Sequence, residues 1–193
     1  MTTKTIFALV LAAGESSRFG STKQLVPVDG RPLVLRAMQA AETVCRRRTI
    51  LVAGHEWRDV TAACAPMQGF FVVNPHYRDG LAGSIRAGLG AVSECADAVL
   101  LMLADQALVT AEHLQDLIDT WRTVPDSIVA SAYAGTCGPP VIFPRAFFPA
   151  LLSIEGDRGA KPLLEANPER LHTVSFEDAA VDIDRPSDLI GGQ

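Results

Sequence analysis

The sequence LVLAAGESSRFGSTK, residues 9–23, joins an apolar run to a loop of small, hydroxyl-bearing and cationic residues. The apolar run extends back to Ile6, and its unbroken hydrophobic character predicts a strand buried on both faces. Small residues let backbone N–H groups approach an anion, while hydroxyls and cations add hydrogen bonds and charge. The stretch therefore predicts a polyphosphate-binding loop directly after the first strand.

This loop differs from the two commonest phosphate-binding loops. A P-loop places Lys directly after its second Gly, whereas here Ser21 follows Gly20 and Lys23 comes later. The dinucleotide fingerprint G-x-G-x-x-G is also missing from the sequence. An ordinary strand-to-helix turn is the alternative interpretation, although such a turn seldom collects two hydroxyls and two cations.

Length and composition are those of one globular domain. The chain has 193 residues, of which 48% are hydrophobic and 20% are charged. Its formal net charge of −5 argues against a nucleic-acid partner. Local cations must therefore bind any phosphate group.

Targeting and cysteine patterns favour a cytoplasmic protein without a membrane partner. The apolar run near the start is too short to span a membrane and precedes no cleavage pattern. The four cysteines form no C-x-x-C pair, which is typical of idle thiols in a reducing compartment. The four histidines lack the close spacing of a zinc site.

Hydrophobic periodicity divides the chain into strands that alternate with helices. Strands are predicted at 6–11, 49–53, 70–73, 98–104, 128–132, 141–143, 171–176 and 181–183. Helices are predicted at 33–44 and 57–65, after Thr110, and at 147–152, 161–166 and 186–189. The alternation predicts one α/β domain over residues 1–193, with a mostly parallel sheet flanked by helices.

Asp105 directly follows the buried run AVLLMLA, residues 98–104. A carboxylate at the end of such a strand is costly unless it is solvated, caps a turn or binds a cation. In open α/β sheets ligands bind beyond the carboxyl ends of the strands, where the phosphate loop also lies. Mg²⁺ is usually held by one or two carboxylates plus substrate phosphates. Asp105 is therefore a candidate magnesium ligand, and a turn cap is the alternative.

A second carboxylate cluster lies in AVDIDRPSDL, residues 180–189. Asp182 and Asp184 are two apart on a short predicted strand, so they would point to the same face. Two such carboxylates repel unless a cation lies between them or one is solvated. Each is a candidate metal ligand, with a solvated sheet edge as the alternative, whereas Asp188 better suits a helix cap after Pro186.

The stretch NPHYRDGLAGSIRAGL, residues 74–89, follows another predicted strand. Ser84 is a plausible N-cap of a helix, and Arg86 would then fall in the first helical turn. A cation in that turn is unfavourable unless an anion binds there, which makes both residues candidate phosphate contacts. A solvated surface cation is the alternative for Arg86.

These segments resemble the MobA-like nucleotidyltransferases, and among them most closely the molybdenum cofactor cytidylyltransferases. LAAGESSRFGSTKQL (11–25) is similar to their signature L-A-x-G-x-S-x-R-x-G-x-x-K. LADQ (103–106) resembles their metal motif L-x-D-Q-P, with Ala107 in place of Pro. VDIDRPSDL (181–189) resembles V-D-I-D-T-P-E-D-L, and residues 74–89 resemble N-P-x-x-x-x-G-x-x-S-x-R-x-G-L. The resemblance covers nearly the whole chain and implies a Rossmann-like fold of the nucleotidyltransferase type.

The resemblance also implies roles for individual residues. Nucleotide contacts are expected from Leu11, Ala12, Ala13, Gly14, Ser16, Ser17, Arg18, Lys23, Asn74, Ser84 and Arg86. Arg18 and Lys23 would hold the β- and γ-phosphates and act with Asp105 in catalysis. Mg²⁺ would be held by Asp105 and Asp184, with Asp182 as a further ligand.

Two later segments are candidates for binding the acceptor substrate. TCGPPVIFP (136–144) and EGDRGAK (155–161) match the family patterns G-x-P-x-x-F and G-D-R-G-A, which implies a bulky phosphorylated pterin. A rigid connection and a solvated loop are the alternatives for these segments. Both segments lie within residues 135–175, where the alternation of strands and helices becomes irregular. This region is the predicted acceptor-binding portion of the domain. The expected contacts are Gln106, Gly138, Pro140, Arg158 and Lys161.

The resemblance implies transfer of CMP from CTP to the phosphate of a molybdopterin-type molybdenum cofactor, with release of pyrophosphate. The form Leu11-Ala12-Ala13-Gly14 favours CTP over GTP within the family. A molybdoenzyme that receives the product would be a partner. Other interpretations stay open: guanylyl transfer, transfer to a sugar phosphate or a phospholactate, or a non-catalytic carrier of the finished cofactor.

Overall fold

The computed structural model describes residues 4–15 and 22–177. Its strands are β1 (Ile6–Ala12), β2 (Pro27–Val28), β3 (Arg31–Pro32), β4 (Thr49–Ala53), β5 (Phe70–Val73), β6 (Ala98–Leu103), β7 (Ile128–Tyr133), β8 (Thr136–Pro144) and β9 (Leu171–Ser175). Its helices are α1 (Leu33–Cys45), α2 (Trp57–Ala63), α3 (Leu81–Val92), α4 (Ala111–Thr123), α5 (Phe148–Leu152) and α6 (Lys161–Glu165).

Seven of the strands form one twisted sheet in the order β5-β4-β1-β6-β8-β7-β9. Strand β1 lies at its centre, parallel to β4 on one side and to β6 on the other. Strand β8 runs antiparallel to both of its neighbours, while β4 and β7 pair in parallel with β5 and β9. The expectation of one α/β domain with a mostly parallel sheet flanked by helices is therefore confirmed.

The alternation of side chains along β1 builds a core on each face of the sheet. Ile6, Ala8, Val10 and Ala12 point to the face covered by α1, α2 and α4. Leu9 and Leu11 point to the opposite face, which α3, α5 and α6 cover. Because both faces are covered by helices, β1 is an unbroken apolar run rather than an alternating one.

Local sequence explains where several elements begin. Helix α4 follows Thr110, whose side-chain oxygen accepts a hydrogen bond from the backbone N–H of His113 at 3.2 Å. Strand β8 begins at Thr136, five residues before residue 141, where the sequence analysis predicted the start of this strand. Its two prolines lie where the register against β7 shifts, so the missing N–H groups of proline interrupt no regular pairing. Within the described ranges, no helix is long and apolar enough to cross a membrane.

Candidate active site

The carboxyl ends of β1 and β6 open into a cleft of about 800 Å³. This is the edge at which open α/β sheets bind their ligands, and the volume suits a substrate of nucleotide size. Four segments line the cleft, namely the loop after β1, the turn between β5 and α3, the end of β6 and the turn before α6. The lining residues are Leu11, Ala13, Gly14, Glu15, Lys23, Gln24, Tyr77, Arg78, Asp79, Gly80, Leu81, Ser84, Leu103, Ala104, Asp105, Gly156 and Asp157.

Neighbouring loops fix the start of the loop that follows β1. The carbonyl of Ala13 accepts from the backbone N–H of His55 at 3.2 Å. The carbonyl of Gly14 accepts from the side-chain amide of Gln24 at 3.0 Å. Glu15 then forms an ion pair with Arg78, and the guanidinium hydrogen bond lowers the pKa of that carboxyl. Of the predicted contacts here, Leu11, Ala13 and Gly14 line the cleft, whereas the side chain of Ala12 faces the core.

The end of the same loop is fixed by two further side-chain contacts. The hydroxyl of Thr22 donates to the carboxylate of Glu56. The ammonium group of Lys23 lies 2.9 Å from Asp105 Oδ2, with only 8% of the Lys23 side chain exposed. The structure thus brings together the predicted phosphate-binding lysine and the predicted metal-binding carboxylate. Ser16, Ser17, Arg18 and Gly20 lie outside the described residues.

The second carboxylate oxygen of Asp105 fits a cation. Asp105 Oδ1 is buried and has no hydrogen-bond partner among residues 4–15 and 22–177. A buried anionic oxygen is costly unless a cation or a donor meets it. Within these two ranges, no three or more His, Cys, Asp or Glu side chains lie close enough together to hold a metal ion. Asp182, Asp184 and Asp188 lie outside the part of the chain that the structure describes.

Ser84 lines the cleft, but not as the N-cap that the sequence suggested. Helix α3 begins at Leu81 after Gly80, so Ser84 lies inside the helix. Asn74 is buried below it and donates its side-chain amide to Ser84 Oγ at 3.2 Å. The amide oxygen of Asn74 accepts from the backbone N–H of His76 at 3.0 Å. Ser84 lines the cleft and Asn74 does not. Through its two hydrogen bonds Asn74 instead supports Ser84 and the turn after β5.

The first turn of α3 is capped by the loop before α6. The backbone N–H of Leu81 donates to Asp157 Oδ1 at 3.3 Å, and that of Ala82 donates to the carbonyl of Gly156 at 3.1 Å. Gly80 has φ +92°, and a Cβ there would lie 2.7 Å from the Gly156 carbonyl oxygen. A carboxylate and a carbonyl of the chain itself therefore accept the first two N–H groups of this helix.

Arg86 does not reach the main cleft. Its guanidinium donates to the carbonyl of Ile154 and lines a shallower groove beside Asp79 and Glu155. The expectation that Arg86 falls in the first helical turn is wrong, because α3 begins earlier than the sequence indicated. The side chain instead joins α3 to the loop that precedes α6.

The predicted acceptor contacts divide into a buried group and an exposed group. Gln106 is 5% exposed and donates its side-chain amide to the carbonyl of Pro139 at 2.9 Å. Gly138 and Pro140 are buried in β8 beside it. The exposed group comprises Arg158, which pairs with Glu165 at 3.0 Å, and Lys161 at the start of α6.

The sequence analysis missed several residues that line the cleft. Tyr77 and Arg78 lie in the turn after β5, and the ring of Tyr77 lies 5.8 Å from that of His55. A Cβ on Gly54 would lie 2.6 Å from the Cβ of Tyr77, so the loops after β4 and β5 meet closely here. The rule that ligands bind beyond strand ends could have indicated this turn, because it directly follows β5.

Comparison with known proteins gives the same family as the loop sequence. Residues 8–173 match the family model described as MobA-like NTP transferase domain. The purine catabolism protein PucB of Bacillus subtilis is 27% identical over 169 residues, which cover 83% of this chain and 81% of that protein. The bifunctional protein GlmU of Rhodopseudomonas palustris is 35% identical over 127 residues, which cover 63% of this chain but only 28% of GlmU.

Solved structures agree with this result. The crystal structure of Rv0371c from Mycobacterium tuberculosis superposes with a TM-score of 0.82 at 28% identity, covering 97% of this chain and 96% of that one. A structure of Rv0371c in complex with manganese superposes with a TM-score of 0.74 over 91% of this chain and 90% of that one. Members of the family use divalent metals, in keeping with the carboxylate of Asp105 that lines the cleft. With a family match over most of its length, this chain belongs to the MobA-like NTP transferases and is a nucleotidyltransferase.

Proposed function

We propose that this nucleotidyltransferase moves CMP from CTP to the phosphate of a molybdopterin-type molybdenum cofactor. The observation that carries the proposal is the pairing of Lys23 with Asp105 at the floor of the cleft, with Asp105 Oδ1 left without a described partner. A phosphate-binding cation beside a carboxylate that fits a metal suits attack at the α-phosphorus of a nucleoside triphosphate. The Leu11-Ala12-Ala13-Gly14 form of the loop supports CTP as the donor.

The chain's own residues would bind and orient the two substrates. The triphosphate would lie along the loop that begins at Ala13, with Lys23 and Arg18 holding the β- and γ-phosphates. An acceptor phosphate oxygen then bonds to the α-phosphorus, the bond to the bridging oxygen breaks, and pyrophosphate leaves with the electron pair. A phosphate monoester is already largely ionised at neutral pH, so no general base is needed. Catalysis therefore rests on positioning and on charge stabilisation.

Asp105, with Asp184 and Asp182, would hold Mg²⁺ in this scheme. When bound, that ion would polarise the α-phosphate and neutralise charge that develops on the leaving group. The buried and unpartnered Oδ1 of Asp105 supports the first of these ligands. A molybdoenzyme that takes up the dinucleotide product would be the client.

The acceptor would lie on the side of the cleft formed by Gln106 and β8. Gln106 is the next residue after Asp105, and Gly138 and Pro140 are buried behind it. Arg158 and Lys161 are exposed cations in the neighbouring loop and would contact the acceptor's negative charge.

A sugar phosphate is the second candidate acceptor. The exposed cations Arg158 and Lys161 would meet the negative charge of any phosphorylated acceptor, a sugar phosphate included. The same attack at the α-phosphorus would serve either acceptor.

The test is pyrophosphate release with Mg²⁺ and molybdenum cofactor, comparing CTP, GTP, ATP and UTP. Release with CTP alone supports the proposal, and release with GTP keeps the reaction but replaces the donor. Release only with a sugar phosphate would move the assignment to the second candidate, and cofactor binding without release would indicate a carrier. We expect Asp105→Asn to be inactive. The control is Asp119→Asn, which should keep the activity because Asp119 is an exposed carboxylate on α4 that pairs with Arg122.

A further inference from the structure

A buried polar chain lies behind the acceptor side of the cleft. His113, on α4, is 4% exposed, and Ser131, on β7, has no exposed surface. The ring nitrogen Nε2 of His113 lies 2.7 Å from Ser131 Oγ, which lies 2.9 Å from the carbonyl oxygen of Pro140. Buried polar groups are retained only when they are hydrogen-bonded, so these three groups depend on one another.

The direction of each hydrogen bond follows from the number of protons. Ser131 has one hydroxyl proton, and the carbonyl of Pro140 can only accept, so that proton goes to Pro140. The oxygen of Ser131 must then accept from an Nε2–H of His113. Burial lowers the pKa of His113, against an opposite effect of Asp116, so the ring is neutral at neutral pH with its proton on Nε2.

Pro139 and Pro140 pair with no residue of β6 or β7 in the sheet register, although residues 136–138 before them pair with β7. The register between β7 and β8 shifts between Ala130 and Ser131, opposite the two prolines. Two consecutive carbonyls are instead bound by side chains from two sides. Gln106 donates to Pro139 at 2.9 Å, and Ser131 donates to Pro140. The Pro139–Pro140 segment is thus bonded on one side to Gln106, which follows Asp105, and on the other to Ser131 of β7, whose hydroxyl His113 of α4 holds.

The ring of His113 also supports the end of β9. It stacks on Phe176 with ring centroids 4.0 Å apart and an interplanar angle of 11°. The backbone N–H of Phe176 donates to the carbonyl of Ala132 at 2.9 Å, one residue beyond Ser131. In sequence, Phe176 precedes the segment with Asp182 and Asp184. One imidazole therefore contacts both Ser131, which holds Pro140 of β8, and Phe176, which precedes the second carboxylate pair in sequence.

We propose that His113 is a positioning residue that, through Ser131, sets the first half of β8 against Gln106 and so places the acceptor phosphate. The inference rests on the proposed nucleotidyl transfer, because the position of Gln106 and the first half of β8 matters only if an acceptor binds against them. His113 touches no substrate; it acts through two hydrogen bonds and a peptide carbonyl. Nucleotide contacts along the loop after β1 lie outside this chain of hydrogen bonds.

The test compares three variants with the wild type. His113→Phe keeps a flat ring on Phe176 but removes the Nε2–H donor, and His113→Gln returns a donor at the same reach. Ser131→Ala removes the middle of the chain with a smaller change of volume, which keeps the test usable if His113→Phe folds poorly. His172→Gln changes an exposed histidine on β9 and serves as the control.

Two measurements are made on each variant, with CTP and molybdenum cofactor as probes. Steady-state kinetics should show kcat/KM for the acceptor falling about tenfold in His113→Phe and Ser131→Ala, with the Kd for CTP within about twofold, as expected when a reacting group is misplaced. Hydrogen exchange should be faster at the backbone amides of residues 136–138 and 141–142, the two prolines between them having no N–H. His113→Gln should restore both quantities. The double variant His113→Phe/Ser131→Ala should lose no more acceptor kcat/KM than either single variant, because both substitutions break the same chain of hydrogen bonds.

The results that overturn the proposal are distinct from those that overturn the proposed function. Equal losses in CTP affinity and acceptor kcat/KM, or no change in exchange, would show that His113 is merely structural. If the wild type transfers nothing to molybdenum cofactor, the acceptor assignment fails. The hydrogen-exchange result alone then decides whether His113 positions the first half of β8. Faster exchange in His113→Phe with rescue in His113→Gln then supports the positioning role, and unchanged exchange overturns it.

Discussion

Lys23 Nζ and Asp105 Oδ2 lie 2.9 Å apart at the floor of the cleft, between the loop after β1 and the end of β6. The pair joins the two segments whose sequences indicated phosphate binding and metal binding. Each charge partly neutralises the other while no substrate is bound. Triphosphate and metal binding would redistribute the partners, with Lys23 turning to phosphate oxygens and Asp105 to the cation.

Replacing Lys23 by Met should therefore affect both nucleotide binding and turnover. The variant removes a nearly buried cation while keeping most of the length of the side chain. We expect kcat to fall by about 10²-fold, because a preorganised charge at the leaving group contributes a few kcal/mol. CTP binding by calorimetry should weaken in the same variant. Unchanged affinity and turnover would show that Lys23 has only the structural role of pairing with Asp105.

Gly54→Ala should disturb the junction of the loops after β1, β4 and β5. A Cβ at Gly54 would lie 2.6 Å from the Cβ of Tyr77 and 2.7 Å from the carbonyl oxygen of Ala13. Because backbone must shift, we expect a loss of about 1–3 kcal/mol in the free energy of unfolding. Denaturant titration measures that loss, and CTP affinity should fall with it.

Gly90→Ala is the matched control for that substitution. Gly90 is an exposed position inside α3, and a Cβ there would have nothing within 4 Å. Because Ala favours a helix over Gly by up to about 1 kcal/mol, this variant should be at least as stable as the wild type. A loss of stability at Gly90 equal to that at Gly54 would contradict the assigned close contact.

The strands and most helices could be predicted from the sequence because their signals are local. β1, β4 and β5 are short apolar or β-branched runs, and α4 combines an N-cap at Thr110 with a helical apolar period. The start of α3 was missed because its cap comes from Gly156 and Asp157, more than seventy residues away. No local pattern reports a contact of that kind.

The sequence indicated which kinds of side chain would form the site better than it indicated how those side chains are arranged. The loop sequence and Asp105 pointed to the edge of the sheet at which the cleft lies, and Lys23 and Ser84 line that cleft. Asn74 and Arg86 are bonded to other parts of the chain, since their positions depend on where α3 begins. Tyr77 and Arg78 line the cleft at positions that the family pattern leaves open, whereas Asp157 lies in the segment that matches G-D-R-G-A.

The titration of His113 should appear in the acid stability of the protein. Burial lowers its pKa in the folded state, whereas the unfolded chain retains a value near 6.5. Below that pH the unfolded state binds the additional proton, so stability falls as the pH falls. Urea titrations between pH 7 and 5 should show a shallower decline for His113→Gln than for the wild type. Equal slopes would exclude a contribution from this ring.

Cysteine reactivity should follow burial. Burial raises the pKa of the Cys45 thiol to about 12 and that of Cys64 to about 11. Cys95 is exposed and Cys137 is half-buried. Because only thiolates react with disulfide reagents, labelling of the folded protein at pH 8 should modify Cys95 first and spare Cys45 and Cys64. Rapid modification of Cys45, detected by mass spectrometry, would contradict the placement of this residue in the core.

The central claim is that this cleft transfers a nucleotidyl group. The most direct measurement incubates the protein with Mg²⁺, molybdenum cofactor and CTP labelled in turn at the α- and γ-phosphates. The account predicts that the α-label passes to the cofactor and the γ-label to pyrophosphate, with both transfers lost in Asp105→Asn and retained in Asp119→Asn. Label from the γ-position on the cofactor, or transfer that survives Asp105→Asn, would contradict it.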